Sequence, residues 1–186
     1  MTPAYPRPED DGKRVAFLAD LAILDTASDE SLDRIVRLCR EIFDVPVAVV
    51  SLVDEERQWF KSIAGLDVCE TSRDVAFCNY TIMAADIFEV VDATVDPRFA
   101  SNALVTDDPH IRYYAGAPLV YDGVRLGSLC LIDFVAREPL APPQRRMLHD
   151  LADMVIREIR VQRLLRAAVA SIADAAHAPA SDAAGG

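Results

Sequence analysis

The sequence is poor in histidine, and its histidines are far apart. Only three occur among the 186 residues: His110, His149 and His177. A haem or iron site needs histidine or carboxylate ligands that converge on one point. His177 falls in the C-terminal tail and His149 on the last predicted helix, which leaves His110 alone. We therefore expect no metal site, and the sequence identifies no cofactor.

Long hydrophobic runs and an excess of basic residues are also absent. No apolar run approaches the roughly 18 residues that span a bilayer. The first residues lack the basic and apolar segments of a signal peptide. We expect a cytoplasmic protein without a membrane partner. The net charge of −11 repels phosphate backbones, so the core domain is not expected to bind nucleic acid.

Cysteine is scarce, and no two cysteines are close in sequence. Cys39, Cys69, Cys78 and Cys130 lack the paired spacing of a zinc knuckle. In a reducing compartment this pattern favours free thiols over disulfides. Cys130 falls in the middle of a predicted strand, where a free cysteine behaves as a small apolar core residue.

Apolar residues are abundant enough for one well-filled core. They make up 52 % of the chain, which excludes a disordered protein. Residues 1–12 are rich in proline and acidic residues, and residues 173–186 in alanine, proline and glycine. We predict that both ends are disordered and that residues 13–172 form a single domain.

A helix and a first hairpin are predicted in the N-terminal half. Ser28 is the predicted N-cap of a helix that Pro46 ends. Residues 47–53 are almost continuously apolar, which is typical of a central strand covered on both faces. A polar turn then leads to a second strand at 58–63.

Alternation along the second strand assigns its side chains to two faces. Trp59 and Lys61 are predicted on one face, and Phe60 and Ser62 on the other. The following segment, residues 65–108, has an irregular pattern with short helical turns near 77–83. Long irregular segments in compact domains commonly lie over a binding site.

A second hairpin is predicted at residues 112–134, with Asp122-Gly123 as a two-residue turn. Gly116 and Gly127 fall inside its strands. A glycine there marks either a bulge or a close approach to the backbone, for example by a ligand.

The last predicted helix begins at Pro142-Pro143 and continues to about residue 172. Apolar residues recur along it in alternating steps of four and three, broken only by Glu158. This stripe predicts a homodimer through the helix, while a second apolar face packs on the sheet. The predicted dimer residues are Met147, Leu151, Met154, Val161, Leu165 and Ala168.

The order helix, hairpin, irregular segment, hairpin, helix predicts an α+β domain. Six blocks in this order resemble the GAF domains found at the N-terminus of bacterial sensor histidine kinases and diguanylate cyclases. They are LAILDT (21–26), FDVPVAVVSLVDEERQWFKS (43–62), ETSRDVAFCNYTI (70–82), DPRFASNALV (96–105), IRYYAGAPL (111–119) and RLGSLCLID (125–133). The resemblance runs from about residue 14 to residue 166.

The resemblance implies an antiparallel sheet of about six strands, with helices packed on one side and a small-molecule pocket roofed by residues 65–108. The identity of the small molecule is left open. The candidate ligand-binding residues are Trp59, Arg73, Asp74, Phe77, Cys78, Tyr80, Arg112, Tyr114 and Gly116.

Several of these candidates have a plain structural alternative. For Trp59 and Phe77 core packing is favoured over a role as ligand platforms, because aromatic side chains are commonly buried for packing alone. Arg73 and Asp74 form at their simplest a local ion pair. A fixed guanidinium at Arg112 suits a carboxylate or phosphate, but a salt bridge to a nearby aspartate, Asp92 or Asp96, satisfies it as well.

The predicted function is that of a non-catalytic sensory domain that binds a small molecule or a signalling protein and relays the event through its terminal helices. The Asn-Lys, Phe and Asp-Glu signature of cyclic-nucleotide-binding relatives is missing, and no histidine accompanies Cys78 as in bilin-binding ones. Two alternatives remain. One is a thiol enzyme like the free methionine-R-sulfoxide reductases, although the third cysteine of that pattern is missing. The other is a purely dimerising scaffold.

Overall fold

The computed structural model describes residues 5–177, with side chains up to residue 173, and the ends 1–4 and 178–186 of the predicted disordered segments lie outside it. The first helix, α1 (Asp11–Asp20), begins slightly before the predicted domain start at residue 13. The last helix, α5 (Pro142–His177), extends past the predicted end at 172. Arg7 already contacts the domain, because its guanidinium bonds the carbonyl oxygen of Glu55 at 3.4 Å.

The second helix, α2 (Glu30–Phe43), begins one residue later than the pattern predicts. Asp29 is its N-cap, and the carboxylate accepts hydrogen bonds from the backbone N–H groups of Ser31 and Leu32. A carboxylate there satisfies free amides and complements the helix dipole. The helix ends at Phe43, and its C-cap Asp44 adopts a left-handed conformation before the first strand.

Six strands form one antiparallel sheet, as predicted. They are β1 (Val47–Val53), β2 (Arg57–Ala64), β3 (Glu70–Ser72), β4 (Phe88–Val90), β5 (Tyr113–Tyr121) and β6 (Val124–Asp133). Their order across the sheet is β3-β2-β1-β6-β5-β4. β1 is a central strand, buried along its whole length. Asp122 and Gly123 both have positive φ at the β5–β6 turn, as a two-residue hairpin requires.

The sheet separates two apolar cores. On one face, α1, α2 and α5 cover alternate residues of the central strands, among them Val50 of β1, Ala115 of β5 and Leu129 of β6. The other face is covered by residues 73–111, named the lid from here on, which contain the short helices α3 (Cys78–Thr81) and α4 (Ala103–Thr106). Helices on one side of an antiparallel sheet are the predicted α+β arrangement.

A β-bulge changes the faces predicted for β2. The register of β2 against β1 shifts between Val50 and Ser51, so Lys61 has no directly opposed partner. Ser62 therefore lies on the helix side, where its hydroxyl donates to Asp33 of α2 at 2.5 Å. Trp59 and Lys61 share that side, as predicted, whereas the prediction that Ser62 shares a face with Phe60 is wrong.

The long helix α5 packs on β5 and α2 along one face. Its buried residues are Leu148, Leu151, Ala152, Val155, Ile156 and Ile159. Within residues 5–177, no helix combines the length and the apolar character that crossing a bilayer requires.

Candidate functional site

A cluster of aromatic rings fills most of the space between the lid and the sheet. The ring of Phe77 stacks on that of Phe99 with centroids 4.0 Å apart, and it lies 5.2 Å from the ring of Tyr114. Tyr80 packs edge-on against Phe99 and stacks on Phe88. Aromatic rings bury large areas and prefer such offset and tilted contacts. Phe77 thus packs in the core beneath the lid, as the structural alternative to ligand binding predicted. Its side chain also lines a small cavity.

A cavity of about 30 Å³ remains beneath the lid, which is room for one water-sized molecule. Two of the side chains that line it, Ser51 and Gln58, are buried, and their Oγ and Oε1 atoms have no hydrogen-bond partner among the described residues. A buried polar atom without a partner is costly, so this cavity suits a small polar guest. Its lining residues are Val49, Ser51, Gln58, Phe60, Phe77, Cys78, Leu104, Ile111, Tyr114, Cys130 and Ile132.

Two thiols and three hydroxyls meet at one side of this cavity. The Cys78 Sγ atom, at the start of α3, lies 3.4 Å from the Cys130 Sγ atom of β6 and 3.3 Å from the Tyr114 hydroxyl. The Tyr114 hydroxyl is 2.7 Å from Thr81 Oγ1, and Ser128 Oγ is 3.1 Å from Cys130 Sγ. All five side chains are buried. We call this group the thiol cluster.

The two thiols of the thiol cluster differ in acidity. Burial opposes ionisation of Cys78, but hydrogen bonds from Cys130, Ser128 and Tyr114 outweigh it and lower the pKa of Cys78 to about 7. Burial and the neighbouring Cys78 raise the pKa of Cys130 well above its ordinary value. One thiol of the pair is therefore the better nucleophile, and the other stays protonated.

Gly116 and Gly127 both permit close approaches within the protein. A Cβ at Gly116 would lie 2.3 Å from the Tyr114 hydroxyl and 2.7 Å from Thr81 Oγ1. A Cβ at Gly127 would lie 1.9 Å from the carbonyl oxygen of Ser51. A side chain at Gly127 would collide with the backbone of β1, and one at Gly116 would force the side chains of Tyr114 and Thr81 to shift. Gly116 thus makes room for the thiol cluster, and a ligand would have to displace the Tyr114 hydroxyl to reach its backbone.

Arg73, one of the predicted ligand-binding residues, is held by protein groups. Its guanidinium is fully buried, with Nη1 2.8 Å from Oδ2 of Asp11 and 2.9 Å from the carbonyl oxygen of Asp54. Its Nε donates to Oδ1 of Asn79 at 3.1 Å. The hydrogen-bond and ion-pair partners of the Arg73 guanidinium are therefore protein groups. Through them Arg73 connects α1 and the β1–β2 turn to the lid. Its ion pair is with Asp11 and not with Asp74, which is exposed.

Trp59 lies on the opposite side of the sheet from the lid cavity. It belongs to the core under the helices, and its edge borders an open groove of about 740 Å³ along β2. Alternation explains this, because the neighbouring residue Phe60 is the one that faces the lid. Trp59 is thus not a residue of the lid pocket. Cys69, the exposed cysteine, borders the same groove and does not line the lid cavity.

Three further candidates lie outside the lid cavity. Asp74 and Tyr80 border a separate surface pocket of about 270 Å³ beside Arg98. Arg112 donates to the carbonyl oxygens of Val105 at 2.9 Å and of Ile111, so it fastens the end of the lid. Among the described side chains it forms no ion pair with either predicted aspartate.

The lid cavity brings together Phe77, Cys78 and Tyr114 of the predicted residues, with Gly116 beneath them. Sequence reasoning missed Ser51, Gln58, Thr81 and Ser128 and treated Cys130 as core filling. Strand alternation could have placed Ser128 and Cys130 in the site, because these two residues of β6 face the same side of the sheet as Tyr114 of β5. No group of three or more histidine, cysteine or acidic side chains within the described part of the chain is arranged to hold a metal ion.

The fold and cavity define a small α+β domain with a lid over one face of its sheet. Residues 28–159 match the family model of the GAF domain, and the chain belongs to that family. It is 43 % identical over 163 residues to a cyclic di-GMP phosphodiesterase of Pseudomonas aeruginosa. That match covers 87 % of this chain but only 27 % of the relative.

Solved structures share the fold at low sequence identity. The GAF domain of a phosphoenolpyruvate-protein phosphotransferase from Coxiella burnetii superposes with a TM-score of 0.62 at 14 % identity, covering 83 % of this chain and 95 % of that one. The free methionine-R-sulfoxide reductase of Neisseria meningitidis has a TM-score of 0.60 at 16 % identity, covering 89 % and 99 %. At such identities the likeness establishes the fold alone.

Proposed function

We propose that this GAF signalling domain is non-catalytic and relays an event at the lid, either a bound small molecule or a protein contact, to a homodimer formed through α5. The observation that carries the proposal is the position of Glu89, on β4 in the middle of the lid segment. Its Oε1 accepts from the Tyr113 hydroxyl at 2.8 Å and from the Leu140 N–H at 2.7 Å, and its Oε2 binds Arg145 of α5 at 3.1 Å.

These contacts give a short route from the cavity to α5. Tyr114 in the cavity and Tyr113 on the helix side are consecutive residues of β5, so a shift of one moves the other. Tyr113 is bonded to Glu89, which is bonded to Arg145 in the first turn of α5. We call the contacts of Glu89 with Tyr113 and Arg145 the Glu89 joint. Coupling requires that the event at the lid favour one of two arrangements of the Glu89 joint.

The outward face of α5 supports a second copy of the chain as its partner. Met147, Met154, Val161, Leu165 and Ala168 are exposed at heptad spacing. Leu151, which was predicted to belong to the dimer stripe, is not part of the exposed face. It is only 6 % exposed and packs in the core of its own chain. The self-complementary stripe continues past the part of α5 that rests on the sheet, which suits a parallel helix pair.

Analytical ultracentrifugation of matched variants tests the dimer. We expect a dimer for the unaltered chain and a monomer for Leu165→Glu, because paired carboxylates would be buried at the seam. Ala170→Glu places the same charge on the opposite side of α5 and should leave the dimer intact. A monomeric unaltered chain, or equal weakening by both variants, would contradict the proposed interface.

Native mass spectrometry of protein purified from its host tests for a retained ligand. A cavity of about 30 Å³ holds no organic molecule unless the lid moves. A bound organic ligand would therefore require an open lid, with faster hydrogen exchange in residues 73–111 of the ligand-free protein. An empty protein whose lid exchanges as slowly as β1 would favour the protein contact or the scaffold alternative.

The output we propose is another protein of cyclic-dinucleotide signalling. Its support is the 43 % identity to part of a cyclic di-GMP phosphodiesterase. Measuring cyclic di-GMP in the host with the unaltered chain and with Glu89→Gln tests this. Glu89→Gln keeps the shape of the Glu89 side chain but removes its negative charge, which weakens the contact with Arg145. Equal cyclic di-GMP levels in the two strains would therefore count against an output in cyclic-dinucleotide signalling.

The reductase alternative lacks support from the thiol positions. Cys69 borders the open groove along β2, whereas Cys78 is in the lid cavity, so the two predicted thiols do not share a site. An assay of NADPH-linked thioredoxin turnover with free methionine sulfoxide decides the matter. Turnover that disappears in Cys78→Ser would establish the enzyme and overturn the proposed non-catalytic role.

A further inference from the structure

We infer that Cys78 and Cys130 form a reversible disulfide when a small hydroperoxide enters the lid cavity. The inference deepens the proposed function and rests on it for its consequence, because it makes oxidation the event that the lid relays. It is carried by the thiol cluster and by the adjoining cavity with its two unpartnered polar atoms.

The separation of the two sulfurs is suited to disulfide formation. They lie 3.4 Å apart, so they must approach by about 1.4 Å to reach the length of a disulfide bond. Cys130 is held in the middle of the sheet, paired with Val49 of β1 and Gly116 of β5. Cys78 begins the four-residue helix α3, which belongs to the lid and is not hydrogen-bonded into the sheet.

The cavity provides a place for the oxidant. Hydrogen peroxide is one oxygen atom larger than water, and the cavity of about 30 Å³ adjoins Cys78 and Cys130 directly. Gln58 Oε1 and Ser51 Oγ, buried and without a well-formed hydrogen bond among the described residues, are available to hydrogen-bond a hydroperoxide, and the Ser51 hydroxyl also helps to lower the pKa of Cys78. Apart from these two side chains, Tyr114 and the two thiols, the lining is apolar, and the small volume disfavours larger polar oxidants.

The chemistry divides between the two cysteines. The Cys78 thiolate attacks one oxygen of the hydroperoxide, so an S–O bond forms and the O–O bond breaks. With hydrogen peroxide, the leaving hydroxide takes up the proton that the Cys78 thiol released on ionising, and it departs as water. Cys78 is then a sulfenic acid, oxidised by two electrons.

The second step closes the disulfide. The Cys130 sulfur attacks the Cys78 sulfur, the S–S bond forms, the S–O bond breaks, and hydroxide leaves as water with the proton of the Cys130 thiol. Reduction back to two thiols requires a dithiol that supplies two electrons and two protons by exchange. The disulfide would draw α3 toward β6 and disturb the bond between Thr81 and Tyr114.

Titration of the Cys69→Ser chain with hydrogen peroxide tests the inference. This variant removes the exposed thiol, and Cys39 serves as an internal reference because burial raises its pKa to about 12. Samples are unfolded in excess alkylating reagent and mapped by mass spectrometry. We expect one linked peptide pair, Cys78 with Cys130, an alkylated Cys39, and full reversal by dithiothreitol.

Two single variants separate the roles. Cys130→Ser should accumulate a Cys78 sulfenic acid that dimedone traps, and circular dichroism checks its fold. Cys78→Ser should slow oxidation of Cys130 at least tenfold, because the remaining thiol is protonated. If Cys78 and Cys130 stay alkylatable at peroxide levels that oxidise Cys69 in the unaltered chain, the inference is wrong.

Ultracentrifugation of the same samples distinguishes this inference from the proposed function. A disulfide with an unchanged dimer affinity would uphold the modification but contradict its relay to α5. An intact dimer whose affinity responds to another ligand, with no disulfide at any peroxide level, would overturn the inference and leave the proposed function standing.

Discussion

The carboxylate of Asp11 binds the guanidinium of Arg73, with Asp11 Oδ2 2.8 Å from Arg73 Nη1, although the two residues are 62 positions apart. Arg14 Nε donates to the same carboxylate at 2.7 Å. Both arginines are buried. The first turn of α1 therefore neutralises two buried cations, one from its own helix and one from the start of the lid.

Asp11→Asn should destabilise the domain by about 3 kcal/mol, because it leaves two buried guanidinium groups without their shared anion. Urea unfolding followed by circular dichroism measures the change. Asp10→Asn is the control, since Asp10 pairs with Lys13 on the exposed surface, and we expect it to cost less than about 0.5 kcal/mol. Similar losses for both variants would contradict the role given to Asp11.

Gly116→Ala should destabilise the domain by roughly 1–3 kcal/mol, because the new Cβ would overlap the Tyr114 hydroxyl and Thr81. Part of the loss should be recovered when Gly116→Ala is made in a Tyr114→Phe background, which removes the nearest atom. The double-mutant cycle measures this coupling. Gly12→Ala, where nothing lies within 4 Å, is the control and should be neutral or slightly stabilising. Zero coupling in the cycle would contradict the packing described for Tyr114.

The two apolar faces of α5 should respond differently to truncation. In the monomeric Leu165→Glu background, Leu151→Ala should cost about 2–3 kcal/mol in unfolding free energy, because Leu151 is 6 % exposed. Met154→Ala should cost less than about 0.5 kcal/mol there, because Met154 is half exposed. In the unaltered chain, Met154→Ala should instead weaken the dimer, as measured by sedimentation. Equal losses of unfolding free energy for Leu151→Ala and Met154→Ala in the monomer would contradict the packing of α5 through Leu151 described above.

Oxidation of Cys78 by hydrogen peroxide should speed up as pH rises through about 7, the lowered pKa of this thiol. Below that pH the rate should fall about tenfold per unit with the thiolate fraction. Stopped-flow thiol consumption in the Cys69→Ser chain measures the profile. A midpoint near the ordinary thiol value of 9.0 would contradict the stabilisation of the Cys78 thiolate by its neighbours.

The same lowered pKa predicts a stability effect with a definite sign. The Cys78 thiolate is favoured in the folded state, so its contribution is fully present above the ordinary value of 9.0 and is lost as pH falls through about 7. Cys78→Ser, which does not ionise, should therefore lose most stability relative to the parent at high pH and least below 7. Urea unfolding of both proteins at a series of pH values checks this.

Periodicity predicted the elements well because each pattern is local. The apolar run at 47–53 became the central strand β1, and Asp122-Gly123 became the turn between β5 and β6. Side-chain faces followed alternation except at two register shifts. One lies in β2 and reversed the faces beyond Lys61, and the other lies between β5 and β6, where Leu126 has no directly opposed partner. A bulge depends on how a strand pairs with its neighbour in the sheet. The polar and apolar pattern of the strand alone therefore does not predict where the bulge lies.

The candidate site was predicted less well because it depends on distant partners. Arg73 and Asp74 are adjacent in sequence, yet Arg73 pairs with Asp11 and Asp74 remains exposed. Cys130 was expected to be core filling, and its meeting with Cys78 joins a strand to a lid helix 52 residues away. No local pattern encodes such a contact.

The sequence by itself determined the antiparallel hairpins, the flanking helices and the membership of the GAF family, because periodicity, turn residues and ordered blocks are properties of neighbouring residues. Only the tertiary structure decided that the aromatic rings nearly fill the lid cavity, that Leu151 belongs to the core, and that two thiols share one buried site. These outcomes depend on how the lid closes over the sheet, and close packing of distant segments fixes that arrangement.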